Sequence, residues 1–174
     1  MANERDSLRK IPKLTPALSR FVEGMGMYFE NGGIPRIGGR MLGLLMIAHE
    51  PLTAEDLATI LQISRGSVST NFRILLGSGM VEKVAYRGDR MTYFVFADSA
   101  MEQRMAVGVQ SAVAFKRLAQ QGLAALPPRD PARHHLDASV AWSNLLVQAF
   151  EWATTQWRTR RPAVVRSRLA AKRA

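Results

Sequence analysis

Apolar residues recur every three or four positions along most of the chain, which is the spacing of one helix face. A first helix is predicted to begin at Pro16, capped by Thr15, and a second at Pro35. The second runs into MLGLLMIAH, which is apolar on every side and indicates a fully packed central helix. A third helix begins after Thr53, which stands three residues before Asp56, a spacing typical of a capping box.

The fourth predicted helix has one apolar face and one polar face. Ser64 can cap it, Arg65 begins it, and GSG at positions 77–79 ends it. Its apolar stripe consists of Val68, Phe72, Leu75 and Leu76. The opposite side presents Gly66, Ser67, Thr70 and Arg73, with Ser69 on its flank. Because serine and threonine are indifferent helix formers, their grouping indicates a surface that uses hydroxyl groups.

After residue 79 the apolar period changes from helical to strand-like. MVEKVAY and MTYFVFA are rich in β-branched and aromatic residues, and RGDR between them predicts a β-hairpin turn. A long helix over 99–126, a break at PPRDP and a last helix over 137–158 follow. The inward candidates of the first include Met105, Ala112, Phe115 and Leu118, and the second carries one wide apolar stripe that includes Trp142, Leu145, Phe150 and Trp157. The predicted fold is mainly α with a small β-hairpin.

Two short helices joined by a tight turn and followed by a β-hairpin form a winged helix-turn-helix. The second helix of this motif lies in the DNA major groove, where arginines and small hydroxyls reach phosphates and base edges. The predicted contacts in that helix are Ser64, Arg65, Gly66, Ser67, Ser69, Thr70 and Arg73. Arg87 and Arg90 flank the hairpin tip and can enter the minor groove, whose negative potential attracts guanidinium. Taken alone, that tip could also be an ordinary exposed turn.

Composition limits the class of protein and the cellular location that we expect. The chain of 174 residues is 47% apolar, enough to bury most of its unfolded surface, and it lacks the cysteine needed for disulfides or thiolate sites. No apolar run reaches the roughly 18 residues of a membrane span. The start, MANERDSLRK, carries charges where a secretory signal has its apolar core. We therefore expect a cytoplasmic protein with no membrane contact.

The net charge of +10 is concentrated at the two ends. Residues 1–20 hold five basic and two acidic side chains, and residues 155–174 hold seven basic and no acidic ones. Clustered lysine and arginine favour a polyanion partner because they release counterions from a phosphate backbone. Solvated tails that only keep the protein soluble are the alternative.

The stretch LTAEDLATILQISRGSVSTNFRILLGSGMVEKV, with RGDRMTYFVF after it, resembles the winged-helix core of the MarR superfamily of bacterial regulators. The preceding FVEGMGMYFENGGIPRIGGRMLGLLMI is similar to its GbsR branch. The resemblance implies a dimeric repressor that binds double-stranded DNA at a palindromic operator and is released by a small ligand. It also implies that terminal helices of both subunits interlock; the alternative is that the last two helices fold back onto the winged helix of the same chain.

Four segments are expected from this organisation. They are a basic arm with the first helix (1–34), the winged helix-turn-helix (35–97), a helical dimerisation region (98–160) and a basic C-terminal tail (161–174).

The GbsR resemblance also implies a choline-like effector, and a quaternary ammonium needs an aromatic cage. The cage candidates are Tyr28, Phe29, Trp142, Phe150 and Trp152, which ordinary core packing would equally explain. No catalytic constellation, cofactor or metal site is expected, so an enzyme is not predicted. The alternatives to a sequence-specific regulator are a protein-interaction module and a non-specific nucleic-acid-binding protein, and the polar, basic face of the fourth helix favours the regulator.

Overall fold

A computed structural model of the chain describes residues 14–171, with side chains as far as residue 161. The predicted basic arm before residue 14 and the end of the tail after residue 171 lie outside the described residues. The chain divides into two compact units, Met1–Ala100 and Met101–Ala174. The described elements are α1 (Pro16–Glu30), α2 (Arg36–Ile47), β1 (Leu52–Thr53), α3 (Ala54–Leu61), α4 (Arg65–Gly77), β2 (Val81–Val84), β3 (Tyr93–Phe96), α5 (Ala100–Ala125) and α6 (Arg133–Ala171).

Helices α1 and α3 begin where short-range capping signals place them, whereas α2 begins at Arg36, one residue later than predicted, with Pro35 as an N-cap that gives no side-chain hydrogen bond. The Thr15 hydroxyl accepts from the Leu18 amide at 3.3 Å, and Pro16 is the first residue of α1. Thr53 and Asp56 form a complete capping box, because the Asp56 amide donates to the Thr53 hydroxyl at 3.1 Å and the Thr53 amide donates back to Asp56 at 2.7 Å. The predicted starts of α1 and α3 are confirmed.

Helices α1 and α2 pack at unusually short range because glycines line their contact. A Cβ atom at Gly39 would lie 2.6 Å from the Met25 carbonyl oxygen and 2.9 Å from the Gly26 Cα. Val22 and Phe29 of α1 are buried in the same cluster as the fully buried residues Met41, Leu42 and Leu44 of α2. The structure therefore joins α1 closely to the winged helix-turn-helix that begins with α2.

The predicted hairpin belongs to a three-stranded antiparallel sheet in the order β1-β3-β2. Leu52 pairs with Phe94, and Val81 pairs with Phe96 at the other edge of β3. The expectation of a hairpin alone missed β1, since a two-residue strand is too short to show an alternating pattern. Both hairpin strands are four residues long, which leaves a longer loop between them than RGDR alone.

The second unit is an antiparallel pair, since residues early in α5 meet residues late in α6. A Cβ atom at Gly122 would lie 2.9 Å from Leu136, and one at Gly108 would lie 2.7 Å from the ring of Phe150. Arg133 joins the two helices at their connection, where it donates to the carbonyls of Leu123 and Leu126 at 2.7 and 3.1 Å. Glycine on α5 thus gives room for large side chains of α6.

Two expectations for α5 and α6 were wrong. The last helix was predicted over 137–158, but α6 extends from Arg133 to Ala171, so most of the predicted C-terminal tail has helical backbone. At the start of the part that exceeds the predicted helix, the Arg161 guanidinium pairs with Glu102 of α5 at 3.1 Å. Two predicted inward residues of α5 are also half or more exposed, Phe115 at 50% and Leu118 at 64%. A pair of helices buries only one stripe on each, and here that stripe includes Ala112, Ala119 and Ser143.

Candidate nucleic-acid interface

A tight turn joins α3 to α4. Gln62 adopts the left-handed conformation, with φ 53° and ψ 49°, and the Ile63 amide donates to the Ala58 carbonyl at 3.0 Å. Ser64 then caps α4 by accepting from the Ser67 amide at 3.1 Å. Three residues therefore connect the two helices, a turn length typical of a helix-turn-helix.

Helix α4 has the two faces that its sequence predicted. Val68, Phe72 and Leu75 are buried, and the Phe72 ring stacks on Phe94 of β3 with centroids 3.6 Å apart. Most of the predicted DNA contacts are exposed, namely Ser64, Arg65, Gly66, Ser69, Thr70 and Arg73, whereas Ser67 is half-buried. The structure thus brings these residues together on one side of α4, and their contact with DNA stays a prediction.

The hydroxyls on this face are not equivalent. Those of Ser64 and Ser67 lie 2.9 Å apart and share a hydrogen bond within the first turn of α4. Their first role is therefore to hold the helix start, where backbone amides and the helix dipole favour an anion. Ser69 and Thr70 stand one turn further along with exposed side chains, free of this capping pair.

Arg65 is the one arginine of α4 for which the structure gives an ion pair. Its Nη2 lies 2.7 Å from Oε2 of Glu55 in the first turn of α3, and the side chains are 79% and 52% exposed. Such an exposed pair contributes at most about 1 kcal/mol, so a phosphate can compete for the guanidinium. Arg73, two turns along the same helix, is also exposed.

The wing presents its arginines on an ordered turn. The Asp89 amide donates to the Tyr86 carbonyl at 3.0 Å, and Gly88 has φ 81°, which suits the third position of a type II turn. The Asp89 carboxylate accepts from the Tyr93 hydroxyl at 2.6 Å and from the backbone amide of residue 91 at 2.9 Å. Arg87 lies inside this turn and Arg90 follows it, both exposed.

Two polar residues with contacts in or near the helix-turn-helix were missed from the sequence. Asn71 lies on the buried face of α4, where its amide nitrogen donates to the Ser67 carbonyl at 2.8 Å. A Cβ atom at Gly38 of α2 would lie 2.9 Å from the Asn71 oxygen, so glycine there leaves room for the Asn71 side chain. Arg40 of α2 donates to the carbonyl of Leu61, the last residue of α3. The only available signal for Asn71 was its position within an otherwise apolar stripe.

The aromatic cage candidates lie in both units. Tyr28 and Phe29 meet edge to face with ring centroids 5.2 Å apart, Tyr28 being 65% exposed and Phe29 buried. In the second unit Trp142 and Trp152 are exposed, whereas Phe150 packs against Gly108. Core packing therefore accounts for Phe29 and Phe150, and the cage stays a prediction.

In the part of the chain that the structure describes, no group of three or more histidine, aspartate or glutamate side chains could hold a metal ion. None of the described helices combines the length and the apolar character needed to cross a membrane.

The turn, the two-faced α4 and the arginine-bearing wing define a winged helix-turn-helix, a class that binds DNA. Residues 40–83 match the family model described as bacterial regulatory protein, arsR family. The HTH-type transcriptional regulator MmpR5 of Mycobacterium tuberculosis is 39% identical over 119 residues, which span 68% of this chain and 72% of MmpR5. The chain belongs to the family of HTH-type transcriptional regulators that includes MmpR5, and it is a DNA-binding transcriptional regulator.

One solved structure agrees with this fold. The crystal structure of a transcriptional regulator, 32% identical, superimposes with a TM-score of 0.69 and covers 83% of this chain and all of that chain (100%). MepR, a transcription regulator of the Staphylococcus aureus multidrug efflux pump MepA, covers 76% of this chain and 99% of its own with 18% identity. Its TM-score of 0.39 is too low to establish a common fold.

Proposed function

We propose that this regulator is a dimeric repressor that reads a palindromic operator with α4 in the major groove and the wing in the minor groove. The observation that carries the proposal is the exposed face of α4, on which Arg65, Ser69, Thr70 and Arg73 stand together. Arginine forks suit guanine edges and phosphates, while small hydroxyls allow close approach of the helix. Arg87 and Arg90, exposed on the wing of the same unit, supply the second set of contacts.

A second copy of the chain supplies the second recognition helix and the second wing of the proposed dimer. The second unit exposes Trp142, Leu145 and Trp152 on α6, at 56%, 55% and 65%. With Ala149 they follow a spacing of three, four and three residues, which is that of a helix-packing seam. Covering this seam with its copy removes apolar surface from water and allows two recognition helices about 34 Å apart to read successive major grooves.

The oligomeric state tests this interface directly. We expect Leu145→Glu to give a monomer in sedimentation at micromolar concentration, because it places a charge in the apolar seam. Asn144→Glu, which adds the same charge at an exposed polar position of α6, serves as the control and should stay dimeric. If both variants sediment like the wild type, the seam is not the interface.

The finer parts of the proposal concern the branch, the effector and the basic tail. The GbsR assignment is supported by the GGIPRIGG sequence, whose Arg36 and Arg40 flank close glycine packing between α1 and α2. A quaternary ammonium such as choline is the proposed effector, and the Tyr28 and Phe29 rings of the first unit, which meet edge to face, are candidates for part of its aromatic cage. It would act by favouring a conformation in which the recognition helices do not match the groove spacing. Residues 161–174 would add salt-dependent affinity for DNA.

Selection of DNA from a random-sequence duplex library tests the central proposal. The enriched duplex and a scrambled duplex of equal length are then compared at one near-physiological salt concentration. A specific regulator prefers the enriched duplex by about a thousandfold or more. Equal affinity would identify a non-specific nucleic-acid-binding protein, and absence of binding would point to a protein partner for α4.

Arginine substitutions then test the role of α4. Arg73→Ala should weaken binding to the enriched duplex by about 1–3 kcal/mol if Arg73 reads a base, and relax the preference at that base pair. Arg117→Ala, which removes one exposed arginine from α5, is the charge-matched control and should leave the preference intact. Equal losses in the two variants would show that Arg73 contributes only charge.

A further inference from the structure

We propose that Arg40 is a positioning residue for DNA recognition. It contacts no DNA, but it connects α1 to the turn before α4 and so fixes how α4 is presented. This inference rests on the proposed reading of an operator by α4, and it goes beyond that proposal by assigning the control of specificity to a residue in another helix.

One side chain links three helices. Arg40 extends from α2, and its Nε lies 2.6 Å from Oε1 of Glu23 on α1. Its Nη2 donates to the carbonyl oxygen of Leu61 on α3 at 3.2 Å. The Arg40 side chain is only 22% exposed, so these contacts are screened by solvent less than those of a surface pair.

A contact to the Leu61 carbonyl acts directly on the turn between α3 and α4. Leu61 ends α3, where the last carbonyls have no partner within the helix and the dipole favours a cation. The next residue, Gln62, is the only described residue other than glycine with a positive φ. A side chain with a Cβ atom disfavours that conformation, so surrounding contacts must hold it. Arg40 supplies such a contact through its hydrogen bond to the carbonyl of Leu61, the residue before Gln62.

The packing of α1 on α2 leaves space for this arrangement. A Cβ atom at Gly26 of α1 would lie 2.9 Å from Cγ of Arg40 and 3.1 Å from Cγ of Arg36. The stems of both arginines therefore cross α1 where it has no side chain, and both guanidinium groups reach Glu23. The Arg40 guanidinium holds the Glu23 carboxylate by charge, as an ion pair at Nε, while its Nη2 donates a hydrogen bond to the Leu61 carbonyl.

Arg36 provides a matched control for Arg40. Both residues lie on α2 and pair with Glu23, Arg36 through its Nη2 at 3.1 Å from Oε2. The structure gives a bond to the Leu61 carbonyl for Arg40 alone. Arg40→Met and Arg36→Met each remove one positive charge and keep an unbranched stem, so they differ in the connection to the turn.

The experiment measures the affinity of each variant for the enriched duplex and for the scrambled duplex at one salt concentration. We expect Arg40→Met to lower the ratio of the two affinities by about tenfold, which corresponds to about 1.4 kcal/mol. Arg36→Met should weaken both affinities equally and leave the ratio unchanged. An unchanged ratio in Arg40→Met, or an equal fall in both variants, would overturn the proposal.

A second variant and a second measurement cover the remaining outcomes. If Arg40→Met does not fold, Arg40→Lys keeps the charge but has a single ammonium, and a wild-type ratio in that variant would overturn the proposal. If the wild type itself prefers no duplex, the proposed function fails. Amide hydrogen exchange then decides separately whether Arg40 holds the turn: exchange at Ile63 should be faster in Arg40→Lys than in Arg36→Lys, and equal rates would refute it.

Discussion

Replacing Gly39 with alanine should push α1 away from α2. The new Cβ atom would lie 2.6 Å from the Met25 carbonyl oxygen, 2.9 Å from the Gly26 Cα and 3.0 Å from the Phe29 Cβ. The first two of these atoms belong to the backbone, which cannot rotate away as a flexible side chain can. Relief therefore requires a movement of the helix itself.

The size of the effect follows from that movement. An ordinary contact of about 3.4 Å between the new Cβ atom and the Met25 oxygen requires α1 to move away from α2 by about 0.8 Å. A gap of that size removes a quarter to a half of the van der Waals attraction between the surfaces that it separates. Val22 and Phe29 lie on this surface, and burial of each contributes about 1.5–3 kcal/mol. The higher helix propensity of alanine offsets up to about 1 kcal/mol of this loss. We expect a net loss of about 1–2 kcal/mol in the free energy of unfolding.

Urea denaturation followed by circular dichroism, at one fixed protein concentration, measures this loss. Gly24→Ala is the matched control, because it makes the same chemical change within α1 and its Cβ atom would have no neighbour within 4 Å. That control should be as stable as the wild type, or more stable by up to about 1 kcal/mol. Equal stabilities for the Gly39 and Gly24 variants would refute the close-packing argument.

Three further substitutions test individual contacts. Gln62→Gly should raise the unfolding free energy by about 0.5–1 kcal/mol, because glycine accepts the left-handed conformation; a destabilised variant in urea denaturation would contradict this. Tyr93→Phe removes the hydroxyl that donates to Asp89 and should cost about 0.5–1.5 kcal/mol, with faster hydrogen exchange in the wing; unchanged exchange would show that the bond does not order it. Glu55→Gln removes the partner of Arg65 and should tighten binding to scrambled DNA by up to about fivefold in a fluorescence titration, whereas weaker binding would mean that Glu55 orients Arg65 for DNA.

The sequence determined the starts of α1, α3 and α4 and the division of α4 into two faces. Capping by Thr15, Thr53 and Ser64 acts within three residues of the chain, so it can be identified without knowledge of the rest of the fold. The faces follow from helical periodicity, which is equally local.

The tertiary structure alone decided which distant groups meet. Arg40 and the Leu61 carbonyl are separated by 21 positions, and neither residue type indicates the other. The strand β1 exists because β3 offers it hydrogen-bond partners, and Leu52 with Thr53 is too short to show a pattern of its own. The exposure of Trp142 and Leu145 likewise depends on which stripe of α6 faces α5, since both sides of that helix carry apolar residues. Such contacts are fixed by packing, and periodicity gives only the candidates.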